Sequence, residues 1–170
     1  TVNSSGNVSK NLTIASGGTL TVSSGDLTVG CTLNNTPLTN NGTLTVSGGT
    51  LNMNGNLSCS SSSVFNQSGG DINIDGNNGG SATGSVASGT AILQFNQLNS
   101  GINLTGGTLT IVDPHSNSTA SLAIGYNNST AGTQTSTANH TLRLGDGIST
   151  DAGGNLVGFR LNPWIGTAYL

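Results

Sequence analysis

Apolar residues in this chain recur at every second position in short runs, and the runs are separated by glycine- and asparagine-rich turns. The clearest stretch is Gly42 to Asn56, GTLTVSGGTLNMNGN. Leu44, Val46, Leu51 and Met53 alternate with Thr and Asn, the period of two that sends one face of a strand inward. Ser47-Gly48-Gly49 and Asn54-Gly55 are turn signals on either side. Further inward pairs are Leu12/Ile14, Leu20/Val22, Leu27/Val29, Leu57/Cys59 and Ile72/Ile74, with single apolar residues at Leu33, Leu38 and Phe65. Turns fall at Ser16-Gly17-Gly18, Ser24-Gly25, Asn40-Asn41-Gly42 and Ser68-Gly69-Gly70.

The pattern repeats. Thr19 to Gly30 matches Thr43 to Asn54 at an offset of 24 residues. Hairpins in a meander and coils in a solenoid both accommodate such strands. The offset favours coils, because it lays Leu20 on Leu44, Val22 on Val46, Leu27 on Leu51 and Val29 on Met53. The expected fold is all-β: a right-handed parallel β-helix with about three short strands per coil, forming an elongated rod. At ~4.8 Å per coil, seven coils make a section of roughly 35 Å.

Three segments are expected. Residues 1–76 form a first β-helical block. Residues 77–89 (NNGGSATGSVASG) are too polar and glycine-rich for a strand and read as a protruding loop or joint. Residues 90–170 form a second block that continues beyond the segment, with Ile102/Leu104 and Leu109/Ile111 restoring the motif. The chain opens on Thr1-Val2-Asn3 in repeat register, without a signal peptide, and is expected to be a piece of a larger secreted protein.

Composition narrows the function classes. Gly, Ser, Thr and Asn supply more than half of the 170 residues, and charged residues only 5%. The regular supply of Leu, Val and Ile argues against a disordered linker. A net charge of -3, with Lys10, Arg143 and Arg160 the only Lys or Arg, argues against nucleic-acid binding. No run of eighteen apolar residues suggests a membrane span.

Little chemistry stands out, so no catalytic residue, cofactor site or metal site is assigned, and the chain is not expected to be an enzyme. The six Asp (Asp26, Asp71, Asp75, Asp113, Asp146 and Asp151) are spread along the chain. Asp71 and Asp75 flank Ile72-Asn73-Ile74 as turn and strand-edge residues rather than a glycosidase pair. Asp146 to Asp151 is oxygen-rich in the manner of a calcium loop but lacks DxDxDG spacing, and reads as a turn. His115 and His140 read as exposed or strand-edge residues. Trp164 reads as packing against a next block more readily than as a sugar platform. The Asn-X-Ser/Thr sequons follow from composition. Cys31 and Cys59, in phase with inward residues, are either two small buried apolar side chains or a disulfide between coils. Their 28-residue separation is one period plus four, so their α-carbons need not stack.

The cadence of residues 11 to 56, and HTLRLGDGISTDAGGNLVGFRL at residues 140 to 161, resemble the β-helical repeats of giant secreted cell-surface adhesins of the Bacteroidota, the group that includes gliding-motility adhesins. The resemblance implies an extracellular or cell-surface location. It also implies a structural or adhesive role as the rigid stalk of a fibre, with neighbouring repeats of the same chain as partners. No functional residue carries over from it.

The alternative is an ice- or crystalline-surface binder. Outward Thr19, Thr21, Thr43 and Thr45 would stack into a Thr-X-Thr ladder, with Thr108/Thr110 as a later echo. A polysaccharide-active enzyme is the third and least favoured reading.

Overall fold

The computed structural model describes residues 1–8, 11–30, 38–74, 91–96, 101–112, 122–126, 135–145 and 161–162. The described residues are all-β, with no helix. In chain order the strands are β1 (Gly6–Val8), β2 (Leu12–Ile14), β3 (Thr19–Val22), β4 (Asp26–Val29), β5 (Leu38–Asn40), β6 (Thr43–Val46), β7 (Thr50–Met53) and β8 (Leu57–Cys59). They continue as β9 (Val64–Ile74), β10 (Ala91–Phe95), β11 (Ile102–Ile111), β12 (Leu122–Tyr126), β13 (Thr135–Ser136), β14 (His140–Leu144) and β15 (Leu161–Asn162).

Every pairing is parallel and joins strands well separated in sequence. Leu20 pairs with Leu44 and Val22 with Val46, and Leu27 pairs with Leu51 and Val29 with Met53. These are the stacked pairs that the 24-residue offset implies, and they exclude a hairpin between β3 and β6. Three ladders result. The first runs β3–β6, then the front half of β9, the front half of β11, and β13. The second runs β1–β4–β7, then the rear halves of β9 and β11, and β14. The third runs β2–β5–β8–β10–β12–β15. Successive strands therefore form triplets, each lying against the triplet before it.

The spacing is not constant. Register partners on the second ladder lie 24 positions apart from Asp26 to Thr50 and 21 from Thr50 to Asp71. They lie 37 apart from Asp71 to Thr108 and 33 from Thr108 to Thr141. Most of the extra residues fall between strands, and the β9–β11 pairing carries register shifts on either side of Gly106. β8 and β10, on either side of the sequence break, are hydrogen-bonded neighbours. Residues 77–89 themselves lie outside the described residues, as do Cys31, Asp75, Asp113, His115, Asp146, Asp151, Phe159, Arg160, Trp164 and Tyr169.

Alternate residues of all three ladders meet in one apolar core. Val22, Val29, Leu38, Leu44, Val46, Leu51, Leu57, Cys59, Phe65, Ile72, Ile74 and Ile111 are fully buried. One cluster joins Leu51 and Leu57 to Leu93, Leu109 and Ile111, so the core is continuous across the described strands. Phe65 of the first ladder meets Phe95 of the third, with ring centroids 5.4 Å apart and planes tilted by 56°, a favourable aromatic arrangement.

The corner between the first and second ladders is made of glycine. Gly25, Gly49, Gly70 and Gly107 all have positive φ, between 67° and 82°. A Cβ at Gly49 would lie 2.2 Å from the Gly25 carbonyl oxygen, and one at Gly70 would lie 2.5 Å from that of Gly49. Each glycine thus rests on the backbone of the previous triplet, and neither its torsion nor its space admits a side chain.

Gly49→Ala is expected to destabilise the protein by about 2 kcal/mol or more, from left-handed strain plus the displaced backbone. Gly17→Ala also has positive φ (76°) but nothing within 4 Å of the added Cβ, and is expected to cost only about 1 kcal/mol. Phe65→Ala should cost about 3–5 kcal/mol through the cavity it leaves. Denaturant unfolding of the three variants checks the order; equal costs for Gly49 and Gly17 would contradict the close-packed corner.

Candidate functional site

The outward positions of the ladders carry stacked polar side chains. Thr19 pairs with Thr43 and Thr21 with Thr45, so the predicted threonine rank exists at two levels. At the next level Val64 and Asn66 replace the threonines, and Asn103 follows Asn66. Thr108 and Thr110 do not extend the rank. They belong to the second ladder, opposite Asp71 and Asn73, and Thr110 is buried at 6% exposure. The apparent echo arose because the TLT wording serves both ladders.

These side chains bond to one another. The Asn66 Nδ2 donates to Thr45 Oγ1 at 3.3 Å, and the Asn103 Nδ2 to Asn66 Oδ1 at 2.8 Å. On the second ladder the Asn73 Nδ2 donates to Asn52 Oδ1 at 2.9 Å. Parallel in-register stacking brings like amides within bonding distance at two steps, Asn52–Asn73 and Asn66–Asn103, each a short asparagine ladder.

Two polar side chains face inward at corners, where the sequence pattern had not marked them. Asn40, fully buried, stands in the column of Ile14 and Cys59. Its Nδ2 donates to the Val64 carbonyl at 2.8 Å and its Oδ1 accepts from the Gly42 N–H at 3.1 Å. Gln67, also fully buried, stands between Val46 and Leu104. Its Nε2 donates to the carbonyls of Gly70 (3.2 Å) and Thr108 (2.9 Å), and its Oε1 lies 3.0 Å from His140 Nε2. The two carbonyl contacts fix which end of the Gln67 amide is nitrogen. His140 Nε2 must therefore carry a proton.

His140 opens β14 as a strand-edge residue, but it is half-buried and bonded rather than solvent-facing. Burial lowers its pKa below the ordinary 6.5, because the charged imidazolium loses hydration there. The signal for Asn40 and Gln67 was a polar side chain at an inward column position, whereas His140 stands in the column of the corner glycine Gly107; both placements are visible only once the variable register is known.

Cys59 is fully buried, with its Sγ 3.9 Å from Asn40 Nδ2. Its register partners are Asn40 and Phe95. The hydroxyl oxygen of Ser60 is buried with no hydrogen-bond partner among the described residues. Asp26 and Asp71 share one outward column, each opposite Thr50. Among the described residues no three His, Cys, Asp or Glu side chains gather into a metal-sized group, and no helix is long and apolar enough to cross a membrane. Comparison with models of protein families, with curated proteins and with solved structures finds no match to the chain.

Asn40→Leu should lower stability by about 1–3 kcal/mol, because the Val64 carbonyl and Gly42 N–H lose a buried partner. Asn73→Ala, on a half-buried outward column, should cost less than about 1 kcal/mol. Chemical denaturation distinguishes the two; equal losses would mean that the inward asparagine has no special structural part.

Proposed function

We propose that the triplets are coils of a right-handed parallel β-helix, and that this rod is a structural, adhesive shaft segment of a large extracellular fibre. The observation that carries the reading is the three-ladder parallel register, which on the second ladder spans spacings of 21 to 37 residues without loss of pairing. Each level needs only another level above and below, so the architecture extends without a designed end. Parallel connections are right-handed in nearly all known sheets, which supports the hand. On the outside Thr45, Asn52, Asn66, Asn73 and Asn103 are engaged with their neighbours, as befits a shaft more than a reactive surface.

The resemblance of residues 11–56 and 140–161 to secreted adhesin repeats supports the location and role.

Solution scattering tests the shaft. A tandem of two copies should double the long dimension while leaving the cross-section unchanged, at about 4.8 Å for each added level. Copies that fold back side by side would contradict an extensible shaft. Antibody labelling of intact producing cells should mark their exterior, and a signal confined to permeabilised cells would overturn the extracellular assignment.

A surface-binding reading has one specific observation in its favour, the in-register Thr19–Thr43 and Thr21–Thr45 pairs. The rank ends after two levels, and Thr45 Oγ1 already accepts a bond from Asn66. The shaft reading therefore expects no thermal hysteresis from the purified chain. Hysteresis that disappears in Thr45→Leu would transfer the function to the threonine face.

A further inference from the structure

We propose that Gln67 and His140 form a pH-responsive latch that fastens β14 to the level two below it, across the glycine corner. Ordinary ladder bonds join only adjacent levels. This contact skips one: Gln67 belongs to β9, the intervening level is β11, and His140 belongs to β14. The skip is possible because His140 stands in register with Gly107. Gly106 and Gly107 present only backbone at the intervening level, so the imidazole reaches the amide without passing a side chain. Gln67 is held rigidly for the purpose. Both of its N–H donors are spent on the Gly70 and Thr108 carbonyls, leaving Oε1 as the acceptor.

β14 has need of such a fastening. Leu142 continues the inward column of Leu27, Leu51, Ile72 and Leu109, yet it is 43% exposed. The described packing of β14 thus offers less apolar burial than the levels beneath, and one polar contact carries a larger share of its docking. β14 joins β11 by parallel pairing from His140 to Leu144, and His140 is the first residue of that pairing.

The latch responds to pH through desolvation. The neutral imidazole with its proton on Nε2 donates to Gln67 Oε1. A second proton, on Nδ1, leaves that bond in place but puts a charge in a half-buried site. The charged groups on the packed elements are Asp71 of β9 and Arg143 of β14. β11 contributes none, nor does the Thr135–Asn139 segment. Burial lowers the docked pKa from 6.5. Above that value both the docked and released imidazoles are neutral, and docking is at full strength. As pH falls through 6.5 the released form binds a proton first, so docking weakens. The loss levels off once the pH passes the lowered value of the docked form.

Hydrogen exchange read by mass spectrometry on the full chain tests the latch. After correction for intrinsic rates, protection of amides in residues 135–145 should fall several-fold between about pH 7.5 and about pH 5. It should fall no more than at β6 and β7 in His140→Gln, whose side-chain N–H can still reach Gln67 but does not titrate. Unchanged protection in the native chain, or an equal fall in His140→Gln, would overturn the proposal. Imidazole nitrogen NMR on the native chain gives an independent reading should the variant fail to fold. His140 should show the Nε2–H tautomer at neutral pH and titrate below 6.5. The Nδ1–H tautomer, or a midpoint at or above that value, would overturn it.

Discussion

The constraint on which the structure depends is the distance between paired backbones, about 4.8 Å. Three ladders must keep that separation at every level, including the corners where the chain changes direction. At the corner between the first and second ladders, the backbone of Gly49 lies so close to that of Gly25 that an added Cβ would come within 2.2 Å of its carbonyl oxygen. The same approach recurs at Gly70 and Gly107. Glycine there is what lets inter-level hydrogen bonds run through the corner: the Thr50 N–H donates to the Gly25 carbonyl, and the Asp71 N–H to that of Gly49, each at 2.9 Å. Because the bonds continue around the bend, β9 and β11 pass through it as single strands.

From that spacing the rest follows. Close levels place identical columns of side chains on top of one another, inside and outside. Inside, the columns are Leu, Val, Ile and Phe, and the core fills by stacking rather than by interdigitating distant elements. Outside, they are Thr and Asn, and side-chain bonds form along the ladder at no extra cost in register. Where an inward column turns polar, as at Asn40 and Gln67, the side chain takes up corner carbonyls that the strand pattern leaves behind. Burial of these amides is tolerated because their partners are backbone groups already fixed in place.

Much of this was legible in the residues. Alternation placed Leu44, Val46, Leu51 and Met53 inside, and the 24-residue repeat placed each on its counterpart. What failed to show was register beyond that repeat. The spacing changes to 21, 37 and 33, and a fixed period cannot follow it. For that reason Thr108 and Thr110 looked like an extension of the Thr43–Thr45 rank when they belong to another ladder. The same cause hid Gln67 and His140, which lie 73 positions apart. Periodicity reports which residues share a face of one strand; only pairing reports which strands share a level.

Variable spacing also bears on how such a chain diversifies. The ladders fix a short inward strand at each level and glycine at Gly25, Gly49, Gly70 and Gly107 of the corner, while the connections between ladder strands, three residues from β7 to β8 but sixteen from β9 to β10, differ in length. Loop closure costs rise only slowly with length, so insertions there weigh little against an intact ladder. A substitution at a corner glycine weighs heavily, since it meets backbone on the adjoining level. Selection acting on such an architecture would keep its corners and inward columns and vary its connections. Any surface specificity would then be carried by those connections.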